Sequence, residues 1–160
     1  MTMGSSLGNF SREGAAQFLA NFRKVLRPAD LILVGLDACQ QPQRVFEAYN
    51  DTKSVTETFY RNGLTHANSI LGYEAFKQEE WQVEGRYDEK LDRHHASYLA
   101  LRDINTQHFS FKKGERLHFE DAFKYSEAQS DQLWHATGLV QQVAFGNKRE
   151  DYCTCTWPIF

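Results

Sequence analysis

The sequence has no excess of basic residues, because 18 Lys and Arg stand against 21 Asp and Glu and give a formal net charge of -3. The long-range attraction that draws basic proteins to phosphate backbones therefore has no source, and nucleic acid is not an expected partner. The chain also lacks the run of about 20 apolar residues that crosses a bilayer. Its N-terminus lacks the basic start and apolar stretch of a signal peptide. These absences predict a cytoplasmic protein with no membrane partner.

Cysteine is scarce too, and its three residues are Cys39, Cys153 and Cys155. An odd number of cysteines in a chain of this kind favours reduced thiols over a disulfide framework. The pair Cys153-x-Cys155 lacks the two-residue gap of a thiolate metal site. The adjacent His94 and His95 would point to opposite faces of a strand, so no metal site is predicted.

The 160 residues are 41% hydrophobic and 14% aromatic, which is enough for the core of one domain. The chain opens on a Gly/Ser turn over residues 4–9, followed by a helical pattern and the apolar run Leu31–Asp37. This order predicts an α/β fold in which residues 31–37 form a buried parallel strand. Ligands in such sheets bind at the carboxyl ends of the strands, where the Gly/Ser turn and Asp37 would lie.

Capping residues and hydrophobic periodicity predict the remaining elements. Helices are expected from Ser11 to Arg27–Pro28, from Pro42 to Tyr49, from Val55 to Gly72 and from Tyr125–Ser126 to Gly138. An antiparallel meander is expected from strands at 81–87, 95–102, 105–111 and 117–120, and two final antiparallel strands at 140–145 and 152–157. The composition changes near Gln40 and changes back near Lys124, which indicates a separate subregion between them.

Five segments of the chain carry a family resemblance: Gly4–Asn9, Ala48–Asp51, Val55–Phe59, Arg61–Asn68 and Phe119–Tyr125. In this order and spacing they resemble the S-adenosylmethionine (SAM)-dependent amino-acid N-methyltransferases that make histidine betaine. The fungal dimethylallyltryptophan N-methyltransferases of ergot alkaloid pathways belong to the same group. The resemblance implies a Rossmann-like methyltransferase core, formed here by residues 1–39 and 124–160. It also implies an inserted α+β substrate-binding subdomain at residues 40–123.

The implied reaction is methylation of the α-amino group of an aromatic amino acid, either histidine or a tryptophan-like one, with SAM as cofactor. The family binds SAM mainly through a glycine-rich first βα turn and an acidic residue after the second strand, and neither is found in the 160 residues. We therefore expect a C-terminal portion of such an enzyme. The alternatives are a non-catalytic remnant that binds an amino acid and a structural partner that completes a split enzyme. Exposed sheet edges would then be covered in a homo-oligomer or by a partner chain.

The resemblance also implies the site residues. Asn9 would hold the amino and carboxylate groups of the substrate, and Tyr49 would donate its hydroxyl to the carboxylate. Glu120 would accept a hydrogen bond from the substrate ring N–H. The other residues expected to contact substrate are Gly4, Thr56, Phe59, Ser97 and Ala122.

Two departures from the family pattern bear on specificity. Ala122 stands where the histidine methyltransferases have Ser, and Ser97 stands where they have a pocket Met. The loss of a polar partner should relax the preference for imidazole, so a tryptophan-like substrate is at least as well supported as histidine. The residues alone also allow simpler interpretations, with Asn9 as a turn residue, Tyr49 and Phe59 as core aromatics and Glu120 facing solvent.

Overall fold

The computed structural model describes residues 5–27, 30–141, 143–147 and 152–158. The helices are α1 (Arg12–Arg23), α2 (Pro42–Tyr49), α3 (Val55–Leu71) and α4 (Glu127–Thr137), with short 3-10 turns at Ser6–Asn9 and Gln78–Glu80. The strands are β1 (Leu31–Asp37), β2 (Trp81–Asp88), β3 (Arg93–Ala100), β4 (Ile104–Asn105), β5 (Ser110–Phe111), β6 (Arg116–Phe123), β7 (Val143–Gly146) and β8 (Tyr152–Pro158). No helix in these described ranges is both long and apolar enough to cross a membrane.

The chain divides into two compact units. Unit 1 comprises Met1–Pro42, Asp88–His94 and Asp121–Phe160, and unit 2 comprises Gln43–Tyr87 and His95–Glu120. The assignment of residues 40–123 to an inserted substrate-binding subdomain stays a prediction.

Unit 1 contains a three-stranded sheet with the order β1-β8-β7. β1 pairs antiparallel with β8, with Leu31 opposite Pro158 and Asp37 opposite Tyr152. The prediction of a parallel neighbour for β1 is therefore wrong for the described strands. β8 lies between β1 and β7 and runs antiparallel to both of them. The predicted antiparallel pair at the C-terminal end of the chain is confirmed.

The core of unit 1 lies under α1 and α4. It is formed by apolar side chains that are less than a tenth exposed, among them Leu7, Leu19, Val34, Leu36, Tyr125, Leu133 and Trp134. The predicted caps are confirmed, since the Ser11 hydroxyl accepts the Gly14 N–H at 3.0 Å and Gly138 ends α4 with a φ of 65°. α1 ends earlier than predicted, at Arg23, where the chain tightens into a turn in which the Val25 N–H donates to the Phe22 carbonyl at 3.0 Å.

Unit 2 contains α2, α3, most of a three-stranded sheet with the order β2-β3-β6, and the antiparallel pair β4–β5. Its core residues are Tyr60, Leu64, Trp81, Ala96, Tyr98, Ala100 and Ile104. The single strand predicted at 105–111 is wrong, because Thr106 forms a turn in its middle. The Thr106 N–H donates to the Phe109 carbonyl at 2.9 Å, and its hydroxyl accepts the Phe109 N–H at 3.1 Å.

Asp51 caps the start of α3. Its Oδ2 accepts the Val55 N–H at 2.9 Å and its Oδ1 accepts the Thr56 N–H at 2.8 Å. The hydrogen bonds from Thr56 and then Val55 lower the pKa of Asp51 from 3.8 to about 2. The cap chemistry predicted at residues 50–52 is thus confirmed at Asp51.

We expect Asp51→Asn to lower the Tm of the protein near neutral pH, because it removes a charged acceptor from two helical N–H groups. The folded-state pKa of about 2 lies below the ordinary value of 3.8, so the charge contributes fully above about pH 4. This contribution is lost as the pH falls toward 2. Thermal melts of both proteins across this range should therefore converge at low pH. A difference in Tm that does not depend on pH would contradict this account.

Candidate functional site

An open cavity of about 670 Å³ lies in unit 2, beside α3 and β6. Its size is within the range of small-molecule sites. The residues that line it are mostly apolar and aromatic: Phe59, Tyr60, Asn62, Gly63, Leu64, His66, Ala67, Phe76, Tyr98, Leu117, Phe119 and Glu120. Glu120 is the acidic member of this set. The cavity therefore offers apolar surface to a ligand together with one carboxylate.

Stacked and edge-on aromatic rings form one wall of the cavity. The Tyr98 and Phe119 rings stack with centroids 4.1 Å apart, and the Tyr60 ring meets Phe119 edge-on at 4.8 Å. The Tyr98 hydroxyl donates to the Tyr60 backbone carbonyl at 2.6 Å, which ties β3 to α3. Gly63 lies beside this bond, and a Cβ there would come within 2.9 Å of the Tyr98 hydroxyl oxygen.

The Glu120 carboxylate is only partly satisfied. The Tyr60 hydroxyl donates to Glu120, and burial together with this hydrogen bond raises the pKa of Tyr60. Burial and the nearby Glu120 charge also raise the pKa of Tyr98. Both phenols therefore stay protonated across the physiological range. The second carboxylate oxygen, Glu120 Oε2, is buried and accepts no hydrogen bond from the part of the chain that the structure describes.

Two of the sequence-predicted site residues, Phe59 and Glu120, lie on this cavity. The Phe59 side chain is 70% exposed, so it is not a core aromatic of unit 2. Tyr49 is half-buried at the end of α2, and it contributes to the raised pKa of Tyr60, which places it near that hydroxyl.

Thr56 and Ser97 are not among the residues that line the cavity. Thr56 is half-buried in the first turn of α3, where its N–H donates to Asp51. Ser97 is buried, and its hydroxyl lies 3.5 Å from Nε2 of His95. The substrate-contact roles of Thr56 and Ser97 stay predictions.

The remaining predicted site residues belong to unit 1. Asn9 is exposed at the end of the 3-10 turn, and Ala122 is 7% exposed in β6. The turn packs closely on the end of β6, because a Cβ on Gly8 would lie 2.7 Å from the Phe123 carbonyl oxygen. Gly4 lies outside the described residues.

Sequence reasoning missed the phenols of Tyr60 and Tyr98 and the ring of Phe119 as cavity residues. The available signal for Tyr60 was its position directly after Phe59. Adjacent residues of a helix usually lie on different faces, so this position alone did not indicate a cavity residue. It also missed the pairing of two histidines, since the His95 and His118 rings stack with centroids 4.4 Å apart. Nδ1 of His118 lies 3.0 Å from the Ala96 carbonyl oxygen, which accepts its hydrogen bond.

Comparisons with known proteins bear on the identity of this chain. A family model described as histidine-specific methyltransferase, SAM-dependent, matches residues 1–158. Ergothioneine biosynthesis protein 1 of Neurospora crassa is 43% identical over 150 residues, which cover 91% of this chain and 17% of the relative. The 4-dimethylallyltryptophan N-methyltransferase of Aspergillus fumigatus is 30% identical over 152 residues, which cover 87% of this chain and 44% of the relative. The chain therefore spans less than half the length of these two relatives.

A solved structure shares the fold. The CcbJ methyltransferase of Streptomyces caelestis matches with a TM-score of 0.51 at 8% sequence identity, covering 98% of this chain and 58% of that one. At this identity the likeness concerns the fold alone. The α/β methyltransferase fold predicted from the sequence is confirmed.

Proposed function

The chain belongs to the family of histidine-specific, SAM-dependent methyltransferases, and from this premise we propose that it carries the amino-acid site of an N-methyltransferase. The proposed substrate is an aromatic amino acid with a ring N–H, either histidine or a tryptophan-like one. The proposed product is methylated on the α-amino group.

The observation that carries the proposal is the buried Oε2 of Glu120. A buried carboxylate oxygen without a partner is costly, and a ligand that donates an N–H to it removes that cost. The surrounding aromatic walls suit a flat ring, while Tyr60 fixes the other side of the carboxylate. The cavity thus favours an aromatic ring with one N–H donor over a purely apolar ring.

The resemblance to the family supplies the roles at the amino-acid end. We propose that Asn9 binds the amino and carboxylate groups and that Tyr49 donates to the carboxylate. An amide offers both a donor and an acceptor, which suits two groups of opposite polarity. Correct orientation matters more than acid–base help in this reaction, because the neutral amine must approach the methyl carbon in line. Gly4, Thr56, Ser97 and Ala122 are further proposed contacts.

The residues described here do not fit the cofactor as the family is expected to bind it. An acidic residue at a strand end binds the ribose hydroxyls in nucleotide folds, and the acid at the end of β1 is Asp37. Its Oδ1 already accepts the Cys39 N–H at 2.9 Å and its Oδ2 already accepts from Lys124 Nζ at 2.6 Å. Asp37 is therefore engaged within unit 1. SAM is the cofactor of the family, but no cofactor-binding residue is proposed in this chain.

A panel of amino acids tests the proposal. Calorimetry and mass spectrometry would follow the binding and methylation of tryptophan, histidine, phenylalanine and ring-N-methylated tryptophan. We expect the two last compounds to bind roughly 10-fold or more weakly than tryptophan, because they cannot donate to Glu120. Equal affinity for phenylalanine and tryptophan would contradict the role of the carboxylate.

A second candidate function is a non-catalytic amino-acid-binding protein, or a partner that completes a split enzyme. It requires only the unit 2 cavity and the buried Oε2 of Glu120, because an aromatic amino acid can bind there without any contact to a cofactor. Titration with SAM separates the candidates. Amino-acid binding without SAM binding or methyl transfer would support the second one.

We also propose a cytoplasmic location for the protein and a further chain that covers its sheet edges. A cytoplasmic location is supported by Cys39, which is a free thiol and suits a reducing compartment. A second copy of this chain or a partner chain at the sheet edges of unit 1 is supported by β7, whose Val143 and Phe145 side chains are about half exposed.

A further inference from the structure

We infer that Asp37 and Lys124 are positioning residues, which hold the turn that carries Asn9 in the place where it binds substrate. The inference rests on the proposed function, because the role of Asn9 comes from there. All the contacts that support it lie within unit 1.

Lys124 and Asp37 form an ion pair in unit 1. Lys124 is 2% exposed, and its Nζ lies 2.6 Å from Oδ2 of Asp37. A buried ammonium group is tolerated only with a charged, well-placed partner. The Lys124 backbone is anchored independently, since its N–H donates to the Asp92 carbonyl and its carbonyl accepts from Arg12 Nη2, both at 2.7 Å. The ammonium group therefore acts on Asp37 from a fixed position.

The backbone of Asp37 is hydrogen-bonded to the start of the turn. The Asp37 backbone N–H donates to the Ser5 hydroxyl at 2.8 Å, and its carbonyl accepts the Tyr125 N–H at 2.8 Å. Ser5 has a φ of 56°, a left-handed conformation that is uncommon for a residue with a side chain and costs free energy unless its surroundings stabilise it. The bond from Asp37 provides such a restraint.

The turn joins Ser5 to Asn9 through a hydrogen bond of its own. The Ser5 carbonyl accepts the Gly8 N–H at 2.8 Å and closes the turn. Gly8 then packs on the Phe123 carbonyl, where even a Cβ would be too close at 2.7 Å. Phe123 directly precedes Lys124 in the chain. The turn is thus fixed at one end by Asp37 and at the other by the residue next to Lys124, and Asn9 follows Gly8.

A double-mutant cycle tests the inference in the full-length protein. Lys124→Met and Ser5→Ala are each made alone and together with Asn9→Ala, and kcat and KM are measured for the amino acid and for SAM. We expect either single variant to lower kcat/KM for the amino acid roughly 10- to 100-fold, because small displacements of an orienting group have effects of this size. The KM for SAM should stay the same. In the Asn9→Ala background, the same changes should alter kcat/KM less than about 2-fold.

Two controls separate positioning from simple loss of stability. Lys112→Met removes the exposed Lys112–Asp103 pair in unit 2 and should leave kinetics unchanged. Leu133→Ala removes a buried side chain of the unit 1 core, so it should lower the Tm without coupling to Asn9. If Lys124→Met does not fold, the cycle with Ser5→Ala decides, because that variant removes only one hydroxyl.

The outcomes are distinguishable. Effects of Lys124→Met or Ser5→Ala that multiply with that of Asn9→Ala would overturn the inference and leave the proposed function intact. If Asn9→Ala alone does not change kcat/KM for the amino acid, the proposed role of Asn9 is wrong and the inference falls with it.

Discussion

Replacing Glu120 with Ala should lower kcat/KM roughly 100-fold for an aromatic amino acid with a ring N–H. The substitution removes a charged acceptor and leaves the substrate N–H unpaired in an apolar cavity, where an unmade hydrogen bond costs most. It also leaves the buried hydroxyl of Tyr60 without its Glu120 acceptor. Steady-state kinetics of methyl transfer to tryptophan and histidine measure the effect.

Ring-N-methylated tryptophan provides the internal control for this prediction, since it has no N–H to lose. Its kcat/KM should change less than about 3-fold on going from Glu120 to Ala. Glu89→Gln, at an exposed acid, should not alter the kinetics with either substrate. Equal losses for tryptophan and its N-methylated form would mean that Glu120 supports the cavity without contacting the ring.

Gly8→Ala should destabilise the protein by about 1–3 kcal/mol and remove most of the activity. The new Cβ would lie 2.7 Å from the Phe123 carbonyl oxygen, a backbone atom that cannot rotate away. The turn must therefore move off the end of β6, and Asn9 moves with it. Thermal unfolding and kcat/KM for the amino acid measure the two effects.

Gly14→Ala is the matched control, because it adds the same methyl group on α1. Its Cβ would meet the Ser11 hydroxyl oxygen at 3.3 Å, and this side chain can adjust. Alanine is also favoured over glycine inside a helix, so the variant should be neutral or slightly more stable. An unchanged Tm and unchanged kinetics for Gly8→Ala would show that the turn has room to adapt.

The helices could be predicted well because their signals are local. Ser11, Ser126 and Gly138 act within one helical turn of their own positions, and Pro42 starts α2 as its fixed φ allows. The partner of β1 could not be predicted in the same way, because strand pairing joins distant segments. The two-residue strands β4 and β5 were missed since a single side chain, Thr106, decides the turn between them.

In the candidate site, too, some residues could be predicted from the sequence, whereas contacts between distant segments could not. Glu120 and Phe59 came from the family resemblance, and the structure places both on the cavity. The contribution of Tyr98 depends on which way one strand residue faces, which is set by packing against α3. The pairing of Asp37 with Lys124 joins residues 87 positions apart, and no pattern in the sequence links them.

The hydrogen bond from Tyr98 to the Tyr60 carbonyl limits how this protein can evolve a new substrate preference. A side-chain carbon at position 63 would contact the Tyr98 hydroxyl, so this wall of the cavity cannot take a larger residue unless the hydrogen bond to Tyr60 breaks. Phe59, at the open rim, carries no such restraint. We therefore expect that adaptation to larger or smaller substrate rings occurs by substitutions at the rim of the cavity. A change of side chain there alters the fit of the ring and leaves the hydrogen-bonded wall intact.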